Sequence, residues 1–511
     1  MFTATKLPHA LYLAQEVREL DRIAIRDLGI PGSLLMDRAG FATFQAMRRQ
    51  WPGARFIRVL CGAGNNGGDG FIIARYAKRA GLDVKVFPVG DHSRLAGDAL
   101  GAFESMSAAG VTPEPLRAGV LDDADVVVDA LFGTGLDREI SGPWSDAIAA
   151  MNRSPGTTLA VDIPSGLHAD TGRILGRATR ADLTVTFIGL KLGMFTGEGR
   201  DRCGRILFDD LGVPDRVHER FQPSARRMDY DSLRHLLAPR ARSTHKGDFG
   251  HVLIIGGDSG FSGAVEMAGE AAARAGAGLV SIATRNAHAD VIGANRPELM
   301  CHGIETTRDL QGLLARATVL AIGPGLGQSP WAKAMLDTAI QTEDLPLIID
   351  ADGLNLLAAL PQHGLHHRPG GHILTPHPGE AARLLDCPTA MIQNDRFKTV
   401  RDLVSRFGGG AILKGSGTLV FDETGLSVVS EGNPGMASGG MGDVLTGIIA
   451  GLVAQGIAIP DAARLAACLH GRAADMETEN GERGMLARDL MPRLRRLVNP
   501  EIDPVLDPMG V

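Results

Sequence analysis

The strongest constraint on the fold is a series of short apolar strand patterns, most of which run directly into glycine-rich loops. In the first half of the chain the predicted strands are Phe56–Leu60, Val84–Val89, Val126–Ala130, Thr158–Val161 and Val185–Ile188. In the second half they are His251–Ile255, Val319–Ile322, Leu347–Asp350, His372–Leu374 and Ala411–Leu413. Helical patterns separate these strands, and this alternation predicts parallel sheets with helices on both faces. In such sheets ligands bind beyond the carboxyl ends of the strands.

The chain is too long for one ordinary hydrophobic core, because it has 511 residues. The alternation loosens between Pro214 and Arg242, where proline and arginine are frequent. We therefore place a domain boundary near residues 215–230, and expect one α/β domain over residues 1–220 and a second over residues 228–500.

Charge and cysteine content exclude several classes of protein. The net charge of −7, without a basic block, gives no support for nucleic-acid binding. The five cysteines lie far apart, which argues against a zinc site or a disulfide framework and fits a reducing cytoplasm. We see no signal peptide and no apolar run long enough to span a bilayer, so we expect a cytoplasmic protein without membrane association.

The glycine-rich segment Gly432–Gly447 is the strongest site candidate in the second half. It reads GNPGMASGGMGDVLTG and leads into an apolar helical pattern that we expect to begin at Val444. Glycines allow close approach to a ligand, and a helix N-terminus offers unpaired N–H groups that suit phosphate. Asp443 could accept a proton from a substrate hydroxyl or hold a metal ion. The alternative is a glycine-rich turn whose aspartate caps the helix.

The first half carries its own glycine motif, with Gly62, Gly64 and Gly67 between a strand and a helix predicted to begin at Gly70. Alone, it suggests a dinucleotide fold with Asp91 as a ribose-binding acid. The extension NNGGDG, together with Asp129 and Ser165, adds oxygen ligands at strand ends. Oxygen ligands that carry few charges suit a hard monovalent cation. In the alternative interpretation, the two asparagines of this motif are turn residues that tolerate a left-handed backbone.

The motifs GAGNNGGDG, DALFGTGL, DIPSGLHADTG and LMDRAG together resemble the YjeF N-terminal family, the NAD(P)H-hydrate epimerases, over roughly residues 10–215. The resemblance implies a Rossmann-like three-layer αβα domain with K⁺ near Asn66, Asp129 and Ser165. It also implies Asp162 as the acid/base and substrate contact. The other implied substrate contacts are Asn65, Asn66, Gly67, Gly68, Asp69, Gly133, Thr134, Gly135, Leu136, Asp137, Arg138 and Glu139. Asp37 departs from the family pattern, which has Glu or Asn there.

In the second half, GPGLG, DADGLN, TPHPGE, LKGSGT and NPGMASGGMGD resemble the YjeF C-terminal family, the ADP- or ATP-dependent NAD(P)H-hydrate dehydratases, over roughly residues 228–497. The resemblance implies a ribokinase-like αβα domain. The implied nucleotide contacts are Lys414, Gly415, Ser416, Gly417, Thr418 and Gly442. The implied contacts to the hydrated substrate are Ala264, Gly325, His377 and Asp443.

Three of these second-half positions have plain structural alternatives. Lys414 suits phosphate as a point charge, but it could be an exposed lysine at a strand end. His377 lies between two prolines and could be a turn histidine satisfied by the backbone. Asp350 and Asp352 flank a strand end and could hold magnesium or cap a helix.

Together the two resemblances imply a bifunctional repair enzyme for hydrated NADH and NADPH. The first half would interconvert the R and S epimers. The second half would dehydrate the S epimer at the expense of ADP with Mg²⁺, giving AMP and phosphate. Hydroxide is a poor leaving group, and phosphorylating the hydroxyl would let the ring nitrogen expel phosphate instead. The family also implies a homo-oligomer, a tetramer or larger.

Two other functions remain open at this point. The second half could be a plain small-molecule kinase whose phosphorylated product is stable. The first half could be a non-catalytic module that only docks and stabilises the second. The retention of Asn66, Asp129 and Asp162 argues against the latter.

Overall fold

The computed structural model describes residues 7–360, 365–366 and 368–500. The chain divides into two compact units, residues 1–226 and 227–511. The proline-rich tail after Asn499, for which the sequence predicts irregular structure, lies outside the described residues beyond Pro500. In the described ranges no helix combines the length and apolar character needed to cross a membrane.

The first unit contains a six-stranded sheet in which every neighbouring pair of strands is parallel. The strands of the whole unit, in chain order, are β1 (Ala10–Tyr12), β2 (Phe56–Cys61), β3 (Asp83–Pro88), β4 (Val126–Ala130), β5 (Thr157–Val161), β6 (Leu183–Phe187), β7 (Leu190–Lys191), β8 (Arg205–Asp209) and β9 (Ala225–Met228), which ends at the boundary with the second unit. Its helices are α1 (Ala14–Arg26), α2 (Gly32–Gln50), α3 (Asn65–Arg79), α4 (Gly97–Ala108), α5 (Gly142–Arg153) and α6 (Gly199–Arg202). The sheet order is β3-β2-β4-β5-β6-β8, and β1 pairs separately with β7 and β9.

Apolar side chains of these strands point alternately to two separate cores. Val126 and Val128 of β4 pack with the side of the sheet that α1 to α4 cover. Val127, between them, packs with Ala147 and Ile148 of α5 on the opposite side. Strands buried on both faces are typical of parallel sheets between helical layers. The predicted three-layer αβα architecture is therefore confirmed.

The second unit is also a layered α/β structure with a mainly parallel sheet. Its strands are β10 (His251–Ile255), β11 (Leu279–Thr284), β12 (Met300–Gly303), β13 (Val319–Ile322), β14 (Leu347–Ile349), β15 (His372–Leu374), β16 (Gly410–Leu413), β17 (Leu419–Asp422) and β18 (Gly425–Val429). Its helices are α7 (Tyr230–Leu233), α8 (Ser262–Ala275), α9 (Asn286–Asn295), α10 (Thr307–Leu314), α11 (Pro330–Gln341), α12 (Ala351–Ala358), α13 (Pro378–Leu385), α14 (Thr389–Asn394), α15 (Arg396–Phe407), α16 (Met441–Ala454), α17 (Ile459–Glu477) and α18 (Leu490–Leu497). Within this unit the strand order is β12-β11-β10-β13-β14-β15-β16-β17-β18. Only the pairs β16–β17 and β17–β18 are antiparallel.

Helix α16, which follows the glycine-rich loop, is buried almost throughout its length and packs tightly on α8. A Cβ atom at Gly447 would overlap the carbonyl oxygen of Ala268, and one at Gly451 would lie 2.6 Å from that of Ala272. The two glycines thus allow the backbones of α8 and α16 to approach each other closely. This packing fixes the N-terminus of α16, and with it the end of the loop.

The structure corrects several predicted element boundaries. Helix α3 begins at Asn65 rather than Gly70, and α16 begins at Met441 rather than Val444. Both motifs therefore lie in the first turns of helices, and Asn65 and Asn66 are not left-handed turn residues. Strand β6 ends at Phe187, because Ile188 has a φ of +60° that ends the extended backbone.

Candidate active sites

In the first unit, the predicted site residues follow three adjacent strands. Asn66 lies in the first turn of α3 after β2, Asp129 lies in β4, and Asp162 follows β5. The sheet order places these strands side by side. Because parallel strands share one carboxyl edge, their following residues converge there.

Asp129 and Ser165 form a buried pair at this edge. The Ser165 hydroxyl donates to Asp129 Oδ1 over 2.6 Å, and the Ser165 backbone N–H donates to Oδ2 over 2.8 Å. The Ser165 Oγ in turn accepts the Phe132 N–H over 2.9 Å. Burial raises the pKa of Asp129 above its ordinary value, and the hydrogen bonds from Ser165 oppose that rise. The pair fixes the loops after β4 and β5 to each other.

The Asn66 amide is buried, but within the described residues neither its Oδ1 nor its Nδ2 has a hydrogen-bond partner. Gly133 is next to it, since a Cβ there would lie 3.6 Å from both Asn66 Cβ and Asp162 Oδ2. An unsatisfied buried amide costs about 1–3 kcal/mol. Such a group is explained if a ligand, an ion or a water satisfies it.

Asp162 has a φ of +67°, which is uncommon for a residue other than glycine. Its carboxylate forms an ion pair with Lys191, whose side chain is completely buried. The Lys191 ammonium also donates to the Thr186 hydroxyl over 2.8 Å and to the Phe187 carbonyl oxygen over 3.3 Å. A strained acid that is paired with a buried cation is typical of functional sites.

Lys191 is a site residue that the sequence interpretation missed. It lies in β7, a strand of two residues, which is too short to leave a periodic pattern. Its only mark in the sequence is a charged residue inside an otherwise apolar and glycine-rich stretch, FIGLKLGMF.

Two more acids belong to this cluster. Burial raises the pKa of Asp69 well above its ordinary value, and the charges of Asp162 and Asp21 raise it further. Burial also raises the pKa of Asp21 to about 6, while Lys191 opposes the shift. The charge of Lys191 lowers the pKa values of both acids, so this lysine acts on more carboxyl groups than its ion-pair partner Asp162.

The remaining residues predicted for this site form its wall and its rim. Gly67 and Gly68 are buried, and a Cβ atom at Gly67 would overlap the Gly62 carbonyl oxygen. The partly buried rim positions are Thr134 and Leu136, and the exposed ones are Asn65, Gly135, Asp137, Arg138 and Glu139. Asp37, the departure from the family pattern, forms an ion pair with Arg75 and accepts a hydrogen bond from Tyr76 over 3.0 Å.

In the second unit, a buried charge cluster centres on Lys414, at the end of β16. Its ammonium lies 2.7 Å from Asp350 Oδ1 and 3.8 Å from Glu380 Oε2. Thr446 of α16 donates to Asp350 Oδ2 over 2.8 Å. Burial favours a higher pKa for Asp350, but the charge and hydrogen bonds around it, chiefly from Lys414, hold its pKa below the ordinary value. The interpretation of Lys414 as an exposed strand-end lysine is therefore wrong.

Asp443 lies in the first turn of α16, after Gly440 with a φ of +88°. A Cβ atom at the neighbouring Gly442 would lie 3.2 Å from Lys414 Nζ and 3.4 Å from Asp350 Oδ2. Burial raises the pKa of Asp443 to about 7, with further contributions from Asp350 and Glu380. The helix N-terminus, a lysine and a carboxylate that titrates near neutral pH thus occur together. This combination can bind phosphate and remove a proton from a hydroxyl.

His377 caps helix α13. Its Nδ1 accepts the Gly379 N–H over 2.9 Å, as expected for a turn histidine satisfied by the backbone, while its side chain stays 52% exposed. Burial, together with the charge of Lys414, lowers its pKa. Its neighbour Glu380 accepts the His377 backbone N–H, and burial raises the pKa of this carboxyl to about 7. His377 thus caps the helix through Nδ1, while its Nε2 lies 3.4 Å from Glu380 Oε1.

Asp350 and Asp352, the two acids after β14, form hydrogen bonds to different protein groups and do not face a common metal site. Asp350 is occupied by Lys414 and Thr446, as described above. Asp352 accepts the Gly327 N–H over 3.0 Å and the Asn355 amide over 3.2 Å. In the described parts of the chain, no group of three or more His, Cys, Asp or Glu side chains is arranged to hold a metal ion.

Ala264 and Gly325 lie next to each other where the strand order of the sheet reverses, between β10 and β13. A Cβ atom at Gly325 would lie 3.2 Å from Ala264 Cβ. Backbone hydrogen bonds from Gly257 to the Pro324 carbonyl and from Asp258 to the Gly325 carbonyl join the two loops. Such a switch point is the usual ligand crevice of an open α/β sheet.

The loop Lys414–Thr418 rests on Arg396, a buried arginine that the sequence interpretation missed. Its guanidinium donates to the carbonyl oxygens of Leu413 over 3.3 Å and of Lys414 over 3.2 Å. A Cβ atom at Gly415 would lie 3.0 Å from Arg396 Nη1, and Gly415 has a φ of +133°. Within the loop, the Thr418 hydroxyl donates to the Gly415 carbonyl. The glycine is therefore needed for the backbone conformation as well as for space.

These observations define a two-unit α/β enzyme with a candidate phosphate site in the second unit and a separate candidate site, built on a carboxylate–lysine pair, in the first. A family model described as NAD(P)H-hydrate dehydratase matches residues 252–496, and one described as YjeF-related protein N-terminus matches residues 32–193.

Full-length relatives extend the match over almost the whole chain. The bifunctional NAD(P)H-hydrate repair enzyme Nnr of Coxiella burnetii is 47% identical over 96% of this chain and 99% of its own length. The Escherichia coli K12 enzyme of the same name is 44% identical over 97% and 95%. A ribokinase-like superfamily protein from Enterococcus faecalis has a TM-score of 0.50 and 29% identity, and covers 54% of this chain and 96% of its own. The chain belongs to the family of bifunctional NAD(P)H-hydrate repair enzymes.

Proposed function

We propose that residues 1–220 carry the epimerase activity and residues 228–500 the dehydratase activity. The observation that carries the second assignment is the position of Gly442 at the N-terminus of α16, beside Asp443, where an added Cβ atom would lie 3.2 Å from Lys414 Nζ and 3.4 Å from Asp350 Oδ2. The carboxylate–lysine site between β5 and β7 supports the first assignment.

In the dehydratase unit, we propose that ADP donates a phosphoryl group to the hydroxyl of the S epimer. Asp443 in its ionised form accepts the hydroxyl proton, and the hydroxyl oxygen then forms a bond to the terminal phosphorus of ADP while AMP leaves. Lys414 and the N–H groups of Gly442 and its neighbours stabilise the charge on the transferring group. The ring nitrogen lone pair expels phosphate, and loss of a ring proton restores the dihydronicotinamide.

The residues that would surround the two substrates are those listed for this unit from the sequence. For the nucleotide, the proposal rests on the loop Lys414–Thr418 and its support by Arg396. For the hydrated substrate, it rests on the switch-point crevice at Ala264 and Gly325, with His377 and Asp443 completing the set. Mg²⁺ would accompany the ADP phosphates, and we assign no protein ligand to it.

In the epimerase unit, we propose Asp162 as the group that holds and returns a proton during loss and return of the hydroxyl. Lys191 forms an ion pair with its carboxylate and holds it in place. A K⁺ ion fits beside Asn66, Asp129 and Ser165, because the Asn66 carbonyl oxygen is buried without a partner in the described residues and the other two add oxygen ligands. The ion would supply a fixed positive charge for an anionic part of the substrate.

The expected setting of the enzyme remains part of the proposal. We propose a cytoplasmic homo-oligomer, a tetramer or larger, that binds NADHX, NADPHX and ADP but no nucleic acid and no membrane. The widely spaced cysteines and the net charge of −7 support the compartment and the absence of a nucleic-acid partner. The family resemblance supports the oligomer.

The test supplies pure R epimer together with ADP and follows the recovery of dihydronicotinamide absorbance. Recovery faster than spontaneous epimerisation, with release of AMP and free phosphate, supports two active units. If only the S epimer is consumed, the epimerase assignment is wrong. A stable phosphorylated product without phosphate release would instead identify the second unit as a plain kinase. The same assay with ATP in place of ADP determines the donor.

A further inference from the structure

We propose that Asp475, on helix α17, is a positioning residue for the dehydration reaction. It acts by holding the start of the glycine-rich loop, Gly432 and Asn433, and this loop leads to Asp443 in the first turn of α16. This inference rests on the proposed function of the second unit. Asp475 follows the loop by more than thirty positions in the sequence, and none of the motifs considered above includes it.

Asp475 fixes the first two residues of the loop. Its Oδ2 accepts the Gly432 backbone N–H over 3.0 Å, and its Oδ1 accepts the Asn433 side-chain amide over 2.9 Å. Asn433 in turn fixes the next residues of the loop, because its own Oδ1 accepts the Gly435 N–H over 2.9 Å and caps the 3₁₀ turn Pro434–Met436. Hydrogen bonds to a carboxylate are shorter and stronger than those between neutral groups.

Helix α17 lies unusually close to the start of the glycine-rich loop. A Cβ atom at Gly471, one turn before Asp475, would lie 2.8 Å from both Cβ and the carbonyl carbon of Glu431. On its other side, Glu431 accepts the Tyr230 backbone N–H at 2.5 Å through Oε1. The residue before the loop is thus held between α7 and α17, and Asp475 continues this contact into the loop itself.

The other end of the loop is held by different elements. A Cβ atom at Gly440 would lie 2.6 Å from the Met267 methyl carbon and 3.1 Å from Ala487 Cβ. Residues 434, 437 and 439 between the two ends are exposed. Between the ends, the backbone at Gly435 also lies close to Glu482, since an added Cβ atom there would lie 2.6 Å from the Glu482 carbonyl oxygen. The path of the loop, and with it the N–H groups beside Asp443, therefore depends on its two ends together with this central contact. Asp475 controls one end without being part of the phosphate site.

The expected consequence is a loss of transition-state stabilisation rather than of nucleotide binding. N–H groups aimed at a transferring phosphoryl group act mainly where charge develops, so a displaced loop lowers kcat. Of the proposed nucleotide contacts, Lys414–Thr418 form the loop after β16, which Arg396 supports independently of α17. The remaining one, Gly442, lies at the far end of the glycine-rich loop, next to Gly440, which packs against Met267 and Ala487.

The test compares Asp475→Asn with Ser427→Ala in the full-length enzyme. Ser427 accepts a hydrogen bond over 2.9 Å from Arg464, which lies on the same helix α17, and is part of strand β18. Both changes remove one hydrogen bond of α17, partly buried at Asp475 and buried at Ser427, but only the first touches the loop. For Asp475→Asn we expect kcat for S-epimer dehydration to fall by about 10–100-fold, with the KM for ADP within about threefold of wild type. For Ser427→Ala we expect a similar fall in Tm and a normal kcat.

Asn433→Ala gives a second measurement if Asp475→Asn is poorly folded. It removes the hydrogen bond from the Asn433 amide to Asp475 and the cap on the Gly435 N–H, leaves the bond from the Gly432 N–H to Asp475, and should lower kcat in the same direction. The double variant should lose less than the product of the two single effects, since both act through one contact. A normal kcat in Asn433→Ala, or equal losses in Asp475→Asn and Ser427→Ala well below their Tm values, would overturn the inference. If wild type itself shows no ADP-dependent recovery of NADH from the S epimer, the proposed function fails instead.

Discussion

At the scale of single residues, the second unit holds buried carboxyl groups of two kinds. Asp350 accepts hydrogen bonds from the Lys414 ammonium and the Thr446 hydroxyl, and its pKa stays below its ordinary value. Burial raises the pKa values of Asp443 and Glu380 to about 7. One lysine therefore neutralises one acid fully, and the others share a proton near neutral pH. Such separation of pKa values indicates which carboxyl group can act as the base.

The first prediction concerns the pH dependence of dehydration. Asp443 must be ionised to accept a proton, so kcat should fall by about tenfold per pH unit below pH 7 and level off above it. Glu380 has a similar pKa, and the measured value will belong to the pair. Steady-state rates with S epimer and ADP, measured from about pH 5.5 to about pH 9 in roughly half-unit steps, provide the measurement.

The same raised pKa has a consequence for stability. Because the folded-state pKa of Asp443 is raised, ionisation costs the folded state free energy above pH 7, and this cost disappears as pH falls toward the ordinary value of 3.8. Asp443→Asn should therefore abolish dehydration and raise Tm at pH 8 by about 2–4 °C per kcal/mol gained. The gain should vanish near pH 4. An unchanged dehydration rate would contradict the role assigned to Asp443.

The second prediction concerns Asp162 and its left-handed backbone. Asp162→Asn and Asp162→Ala should both abolish epimerisation, and both remove the ion-pair partner of the buried Lys191 ammonium. Alanine should be the less stable by about 1–2 kcal/mol, because asparagine tolerates positive φ and alanine does not. Adding Lys191→Met to Asp162→Asn should restore much of the lost Tm without restoring epimerisation. Thermal unfolding and R-to-S conversion are the two measurements.

At the scale of secondary structure, both sites are built on helices that begin inside their motif. Helix α3 begins at Asn65 and α16 at Met441, directly after Gly64 and Gly440. Neither helix has a side-chain cap, so the first N–H groups remain for a ligand. The sequence interpretation placed these residues in loops, because glycine is usually unfavourable within helices.

The third prediction tests the strand–helix turn of the first unit. In Gly67→Ala the new methyl group would overlap the Gly62 carbonyl oxygen, and that backbone atom cannot move aside without opening the turn. We expect loss of epimerisation and a large drop in the unfolding temperature of the first unit, with S-epimer dehydration retained. Gly101→Ala in α4 is the matched control, because nothing lies within 4 Å of its added methyl group. That change should stabilise the unit by up to about 1 kcal/mol.

At the scale of the whole molecule, the two sites share no residue. The first is built from residues of unit 1–226 and the second from residues of unit 227–511. Substitutions in one site should therefore leave the other intact, and two singly inactive variants should complement each other.

The fourth prediction uses this independence. Asp162→Asn should still dehydrate the S epimer, and Asp443→Asn should still interconvert the epimers. Asp162→Asn alone should convert R epimer to NADH no faster than spontaneous epimerisation allows. Asp443→Asn alone should not form NADH at all. A mixture of the two should restore conversion, because the S epimer released by one is a substrate for the other. Failure of the mixture, with both partial activities present, would contradict free exchange of the S epimer between molecules.

The two α/β units, the strands that precede the site loops and most of the residues at the carboxyl edges could be predicted from the amino-acid sequence. Parallel strands buried on both faces leave apolar runs, and glycine loops after them are local features that a sequence displays directly. Asp129, Asp162, Lys414 and Asp443 could be singled out in this way, as could the family to which the chain belongs.

Which charged side chains pair with each other depends on how distant segments of the chain pack together. Lys191 pairs with Asp162, Asp350 is occupied by Lys414, and Asp475 holds Gly432, although each pair is far apart in sequence. The antiparallel hairpin β17–β18 and the short strand β7 also went unpredicted, because both depend on neighbouring strands rather than on a local periodicity. Burial and the proximity of other charges set the pKa values of these groups, and both arise only when distant segments pack together.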